Sequence, residues 1–159
     1  MNQEKLKSLV DYVDNTLKWK HTKGRKNAGQ EIGTRHCKGY RQAQIEGKRY
    51  LVHRLVFLYH HGRMPDTMID HIDGNRLNNS INNLRECDRA ENGYNSRKRK
   101  DNTSGYKNVS WSKATKKWTV RMSKDKKYQV VGYFDTIESA ILAAKEARDE
   151  LHGAFAKHN

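Results

Sequence analysis

Asp70 and His71 stand together at the end of an expected strand, and a loop rich in asparagine follows, with Asn75, Asn78, Asn79, Asn82 and Asn83. Asn92 comes 9 residues after Asn83, and Asn83 comes 12 after His71. Hydrolysis of a phosphodiester needs an activated water, a cation on the phosphate and stabilisation of the leaving oxygen. A neutral imidazole is available near pH 7, so His71 can take the water's proton. Asp70 and the Asn92 amide offer hard oxygen ligands suited to Mg²⁺, or to another divalent cation such as Mn²⁺. Asn83 would hold the loop and fix the His71 backbone and ring. The plainer reading is that Asp-His is a chance dipeptide and that the asparagines only make turns. The whole set favours chemistry, because it falls inside a strand–loop–strand–helix pattern.

The elements that would position these residues can be read from the flanking sequence. Strands are expected at Met68–Asp73 and Leu84–Cys87, with a polar loop between them. Asp88 and Glu91 have the spacing of a helix capping box, which would start a helix carrying Asn92. Upstream, Tyr40–Ile45 and Lys48–Val52 flank Glu46-Gly47 as a tight hairpin. His53–His61 reads as a short apolar helix ended by Gly62. Leu6, Leu9, Val10 and Val13 recur at helical spacing, which predicts an opening amphipathic helix before a strand around Thr16–Lys20. The adjacent His60 and His61 cannot share a helix face and read as surface residues.

The chain has 159 residues, with 32 Lys+Arg against 18 Asp+Glu. Its formal charge of +14 and its hydrophobic content of only 35% suit small modules spread along a polyanion better than one large core. No apolar run approaches a spanning helix and the start lacks a signal-peptide stretch, so a cytoplasmic setting is expected. Cys37 and Cys87 lie far apart without a CxxC partner, which argues against a four-ligand zinc site. The positive charge is concentrated late. Residues 97–131 hold twelve Lys and Arg against two Asp, a local excess of +10 out of the total. Arg97, Lys98, Arg99 and Lys100 form a basic linker. Strands are expected at Lys107–Trp111, Trp118–Ser123 and Gln129–Phe134. Thr136 is placed to cap a helix whose stripe is Ile137, Ala140, Ile141, Ala144, Ala147 and Leu151. The expected DNA contacts are Arg97, Lys98, Arg99 and Lys100 of the linker, with Lys107, Ser110, Trp111, Lys116, Trp118 and Arg121 of the module behind it.

Residues 53–95 resemble the HNH family of the ββα-metal fold, in the branch found in phage and intron-encoded homing endonucleases. The matching text is His53-Arg54-Leu55-Val56, Ile69-Asp70-His71-Ile72-Asp73-Gly74-Asn75, Asn82-Asn83-Leu84-Arg85 and Glu91-Asn92. The resemblance implies that His71 is the general base, that Asp70 and Asn92 bind one divalent cation, and that Asn83 orients the base. His53 is shared too, for phosphate contact or for packing. Residues 105–156 resemble the plant ethylene-response-factor type of DNA-binding domain, through Ser104-Gly105-Tyr106-Lys107-Asn108-Val109, Trp111, Trp118, Val131-Gly132-Tyr133-Phe134-Asp135-Thr136 and Leu151-His152-Gly153-Ala154-Phe155-Ala156. In that family a three-stranded sheet enters the major groove. Two arginines of the plant sheet are replaced here, with Lys107 and Ser110 near those places, so its base preference does not carry over.

The expected architecture is α+β. It comprises a β-rich region over 1–50, an HNH core over 51–98, a basic linker over 99–104 and a three-strand-plus-helix module over 105–159. The expected function is metal-dependent cleavage of double-stranded DNA. Two rivals remain: a non-catalytic DNA-binding regulator on a nuclease scaffold, and an RNA-binding or RNA-cleaving protein. A groove-reading sheet favours duplex DNA over RNA.

Overall fold

The computed structural model describes every residue except Lys23, Arg97, Asp125, Lys126 and Asn159, with Lys124 as backbone only. Arg97, expected above as a DNA contact, therefore lies outside the described residues. The fold is α+β, and the chain divides into two compact units, Met1–Cys87 and Asp88–Asn159. Each has its own apolar cluster.

The first unit opens with helix α1 (Gln3–Leu9), capped by the Asn2 side chain. The expected continuation of the helix through Val13 does not occur. Val10 is already extended, and Val10–Val13 form strand β1, paired with β2 (Thr16–Trp19). The reason is the turn between them: Asp14 and Asn15 both adopt positive φ, 53° and 61°, as a two-residue hairpin requires. These two residue types tolerate that conformation, and the β-branched valines suit a strand. Val13 is consequently exposed. Strands β3 (Thr34–Arg35), β4 (Arg41–Ile45) and β5 (Lys48–Leu51) make an antiparallel sheet. Glu46 and Gly47 turn β4 into β5 with φ of 50° and 78°, as their sequence predicts.

Helix α2 (Val52–His61) follows at once and stops at Gly62, whose φ of 76° is left-handed. Its face of Val52, Leu55, Val56 and Leu58 is fully buried with Leu6, Leu17, Ile32 and Ile45. Behind it, β6 (Met68–His71) pairs antiparallel with β7 (Leu84–Cys87). The expected strand to Asp73 ends two residues early, because Gly74 N donates to the His71 carbonyl at 2.7 Å and closes a turn there. Cys87 is buried and Cys37 is exposed.

The second unit begins with α3 (Arg89–Tyr94). Its capping box is complete: the Asp88 side chain accepts from Ala90 N and Glu91 N, and the Glu91 side chain accepts from Asp88 N. Residues 98–104 form no helix or strand. Strands β8 (Val109–Ser112), β9 (Lys117–Lys124) and β10 (Lys127–Phe134) then form a sheet ordered β10-β9-β8. Helix α4 (Ile137–His152), capped by Thr136, lays Ala140, Ala144 and Ala147 against Val109, Val120 and Met122. Alanines let the helix axis approach the sheet closely. Arg148, which the stripe does not include, is also buried and holds the Lys107 carbonyl at 2.7 Å.

Candidate active site

The β6–β7 ladder sets Asp70 opposite Arg85 and His71 opposite Leu84. Alternation along β6 sends Asp70 and His71 to opposite faces. Asp70 is 5% exposed, and Arg85 grips its Oδ2 through Nε at 3.0 Å and Nη2 at 2.8 Å. Arg85, whose guanidinium could from sequence be a phosphate contact, thus neutralises a buried carboxylate. Arg76 lies over the Tyr40 ring, 4.9 Å from its centroid, and donates to the Lys38 carbonyl.

His71 is 4% exposed. Its Nε2 lies 3.1 Å from Asn79 Oδ1. The His53 ring stands edge to face with it at 5.2 Å, and the Tyr40 ring is 6.0 Å away. Burial pushes the His71 imidazole below its ordinary value of 6.5, against the opposing pull of the Asn79 hydrogen bond and the Asp73 and Asp70 carboxylates. Burial also lowers His53, to about 3, with the His71 and Arg54 charges adding to the effect. His53 sits in the first turn of α2, is 5% exposed, and packs against Tyr40 at 5.1 Å between ring centroids. Of its two expected roles, this setting matches packing. His60 and His61 are exposed at the far end of the helix.

The asparagine loop is built as a network of side-chain turns. Asp73 Oδ1 accepts from Asn75 N at 2.7 Å and from Asn83 Nδ2 at 3.0 Å, and its Oδ2 accepts from Asn78 Nδ2 at 2.8 Å. Those bonds hold the Asp73 carboxyl below the usual carboxylate range, although burial opposes them. Asn83 also accepts from Asp73 N at 3.0 Å, donates to the Asn78 carbonyl at 2.9 Å, and receives Ile72 N on its own carbonyl at 3.0 Å. Asn83 therefore staples the loop and the backbone just after His71. The amide that faces the His71 ring belongs to Asn79, which the sequence presents as one turn-former among five. Its full burial, against the half-buried Asn78 and Asn83 and the exposed Asn75 and Asn82, sets it apart, and nothing in the local sequence pattern encodes that burial.

Asn92 is exposed on α3, in the second unit, with its N–H in the helix. The DNA-contact candidates of that unit divide by face. Val109 and Val120 pair and point to α4, so Trp111 and Trp118, two residues along each strand, share that side. The two indoles meet edge to face at 5.2 Å, with Trp118 packed on the core and Trp111 48% exposed. Ser110 and Arg121 lie on the opposite face, which register extends to Val130 and Tyr133. Tyr128 on that strand is 85% exposed. Lys116 and Lys100 are exposed. Lys98 donates to the Gly105 carbonyl, and Arg99 pairs with Asp101. Lys107 is half-buried and donates to the carbonyls of Tyr94 and Ser96, and burial lowers its pKa to about 8.

Among the described residues no helix is long and apolar enough to cross a membrane. A family model described as HNH endonuclease matches residues 50–94. That span contains β6, β7, α3 and all of Asp70, His71, Asn83 and Asn92. Protein 3.8 of Escherichia phage T7 is 40% identical over 89 residues, which is 56% of this chain and 73% of the phage protein. No solved structure matches the chain.

Proposed function

This chain belongs to one family with Protein 3.8 of Escherichia phage T7 and carries an HNH endonuclease domain over residues 50–94, and from that premise we propose that it hydrolyses phosphodiester bonds of duplex DNA with His71 as general base. The observation that carries the reading is the setting of His71. It is a buried imidazole kept neutral by its surroundings, at a strand end, with a stapled loop on one side and a second neutral histidine on the other. A neutral ring held in one orientation is what proton abstraction from water requires.

Asp70 and Asn92 are the proposed ligands of one divalent cation, Mg²⁺ or Mn²⁺. Their chemistry fits: both offer hard oxygens. A carboxylate has about four acceptor sites, so the Arg85 grip on Asp70 Oδ2 is compatible with a cation on the same group. When bound, the cation would neutralise phosphate charge and stabilise the leaving oxygen. His71 removes the proton from the attacking water. Arg85 orients Asp70, and Asn83 keeps the loop from moving relative to the strand end.

The second unit is the proposed grip. Its outer sheet face, with Ser110, Arg121 and Tyr133, suits a groove, and the exposed Lys100 and Lys116 suit phosphates. Such a module resembles the ethylene-response-factor domain and would give preference for a site. A homing role in a host cytoplasm belongs to the same proposal and rests on the resemblance of residues 53–95 to phage homing endonucleases; the relative is itself a phage protein. The test is incubation of phage-genome and plasmid duplexes with the protein in Mg²⁺ or Mn²⁺ and in EDTA, followed by mapping of the ends. Cleavage that persists in EDTA removes the cation from the mechanism. Binding without cleavage by the wild type, in either metal, makes the chain a regulator on a nuclease scaffold.

A further inference from the structure

Asn79 differs from its neighbours in the loop. Asn75, Asn78 and Asn83 turn their side chains to backbone and to Asp73. Asn79 is 3% exposed, and its Oδ1 faces His71 Nε2 at 3.1 Å. Its Nδ2 is buried without a hydrogen-bond partner among the described residues. A buried donor left unmatched is a cost, and it is tolerated where the other end of the amide has a task.

We propose that Asn79 is a positioning residue for the base: its side-chain oxygen accepts from the His71 Nε2–H and so selects the imidazole tautomer whose lone pair is on Nδ1. This inference rests on the reading of His71 as general base. A neutral imidazole carries one N–H and one lone pair, and the bond made by one nitrogen fixes the role of the other. With an acceptor on Nε2, Nδ1 takes the proton from water. An amide turned the other way would donate to Nε2, move the ring proton to Nδ1 and disable that nitrogen as a base. Amide orientation is a choice of hydrogen-bond network, so the function itself selects between the two.

The loop network explains why the oxygen sits where it does. Asn83 Nδ2 holds the carbonyl of Asn78, the residue directly before Asn79, at 2.9 Å. Asn79 N donates to the Leu77 carbonyl at 3.1 Å. Asn83 thus acts on the His71 ring at one remove, through the Asn78–Asn79 peptide. The His53 ring, edge to face at 5.2 Å, limits rotation from a second direction.

Three variants of the full chain test the inference: Asn79→Ala, Asn79→Leu and Asn79→Asp. Aspartate keeps the size and is acceptor-only, so it separates an accepting role from a donating one. Asn79→Ala and Asn79→Leu are expected to lower kcat by about 10- to 100-fold, as loss of an orienting partner does, with KM unchanged. Asn79→Asp is expected to restore most of kcat. The readout independent of activity is the ¹⁵N–¹H correlation spectrum of the His71 ring in metal-free protein at about pH 8, above the imidazole range. The proton should sit on Nε2 in the wild type and in Asn79→Asp, and a tautomer mixture should arise in Asn79→Ala. The spectrum decides the inference even where no DNA cleavage is detected. A wild-type ring protonated on Nδ1 overturns it. So does an Asn79→Asp variant as impaired as Asn79→Ala, or an Asn79→Ala variant with wild-type kcat. Should the apolar variants fail to fold, the ring spectra of the wild type and Asn79→Asp still decide between the two tautomers.

Discussion

At the scale of single residues, two histidines share one buried corner and are expected to answer different experiments. His71→Ala should lower the cleavage rate by about 10²–10⁴, the usual worth of a general base, while DNA affinity measured by filter binding stays near wild type. Activity within a few-fold of wild type would remove His71 from the mechanism. His53 governs stability instead. Its folded pKa is about 3 against 6.5 for a free imidazole, so below about pH 6.5 the unfolded chain binds a proton that the folded chain refuses. Its contribution is complete above 6.5 and is lost progressively as pH falls toward 3. The limiting slope for one proton is about 1.4 kcal/mol per pH unit. Urea midpoints measured between neutral and mildly acidic pH should therefore fall more steeply for the wild type than for His53→Leu. Equal slopes would show that His53 is readily protonated in the native state.

At the scale of elements, what the sequence reveals and what it hides have identifiable causes. Local rules hold wherever one turn or cap decides the outcome: Glu46-Gly47, Gly62, the Asp88–Glu91 box and Thr136 each begin or end an element where expected. The α1–β1 junction departs from expectation because Leu6, Leu9, Val10 and Val13 satisfy a helical period by coincidence, and only the Asp14-Asn15 turn breaks the tie. The positions of Asp70, His71 and Asn83 are legible through spacing. The partners Arg85, Asn79 and Tyr40 are not, since each meets the site through cross-strand pairing, loop closure or ring packing that no local pattern encodes. Two substitutions probe elements directly. Asp88→Ala removes both accepting bonds of the α3 cap and should destabilise the protein by about 1 kcal/mol, read as a lower urea midpoint. Gly33→Ala should cost more. Gly33 has φ of 78°, and a Cβ there would stand 2.7 Å from the Gln42 carbonyl oxygen, a backbone atom that β4 holds in place. A Gly33→Ala midpoint equal to wild type would mean that the β3–β4 pairing is dispensable.

At the scale of the whole molecule, the chain is two units with separate apolar clusters, joined at Cys87–Asp88. Chemistry and charge are unequally shared between them. Of the proposed site residues, Asp70, His71 and Asn83 belong to the first, while Asn92 and the local excess of +10 over residues 97–131 belong to the second. Phosphate contacts release counterions, so each one steepens the fall of affinity with salt. Expressed alone, residues 88–159 should bind duplex DNA with a salt slope close to that of the whole chain and should never cut it. Residues 1–87 should bind far more weakly, with a shallow slope. Small domains bury a modest fraction of their surface and are marginal, so circular dichroism must first show that each fragment is folded. The cluster of Val109, Val120, Met122 and the α4 alanines is small, and it is the one at risk. Given a folded second fragment, the decisive measurement is log affinity against log salt by fluorescence anisotropy on a labelled duplex. A flat line for residues 88–159 would assign their charge to solvation. The grip would then pass to the first unit, whose own exposed cations include Lys48 and Arg49 on β5.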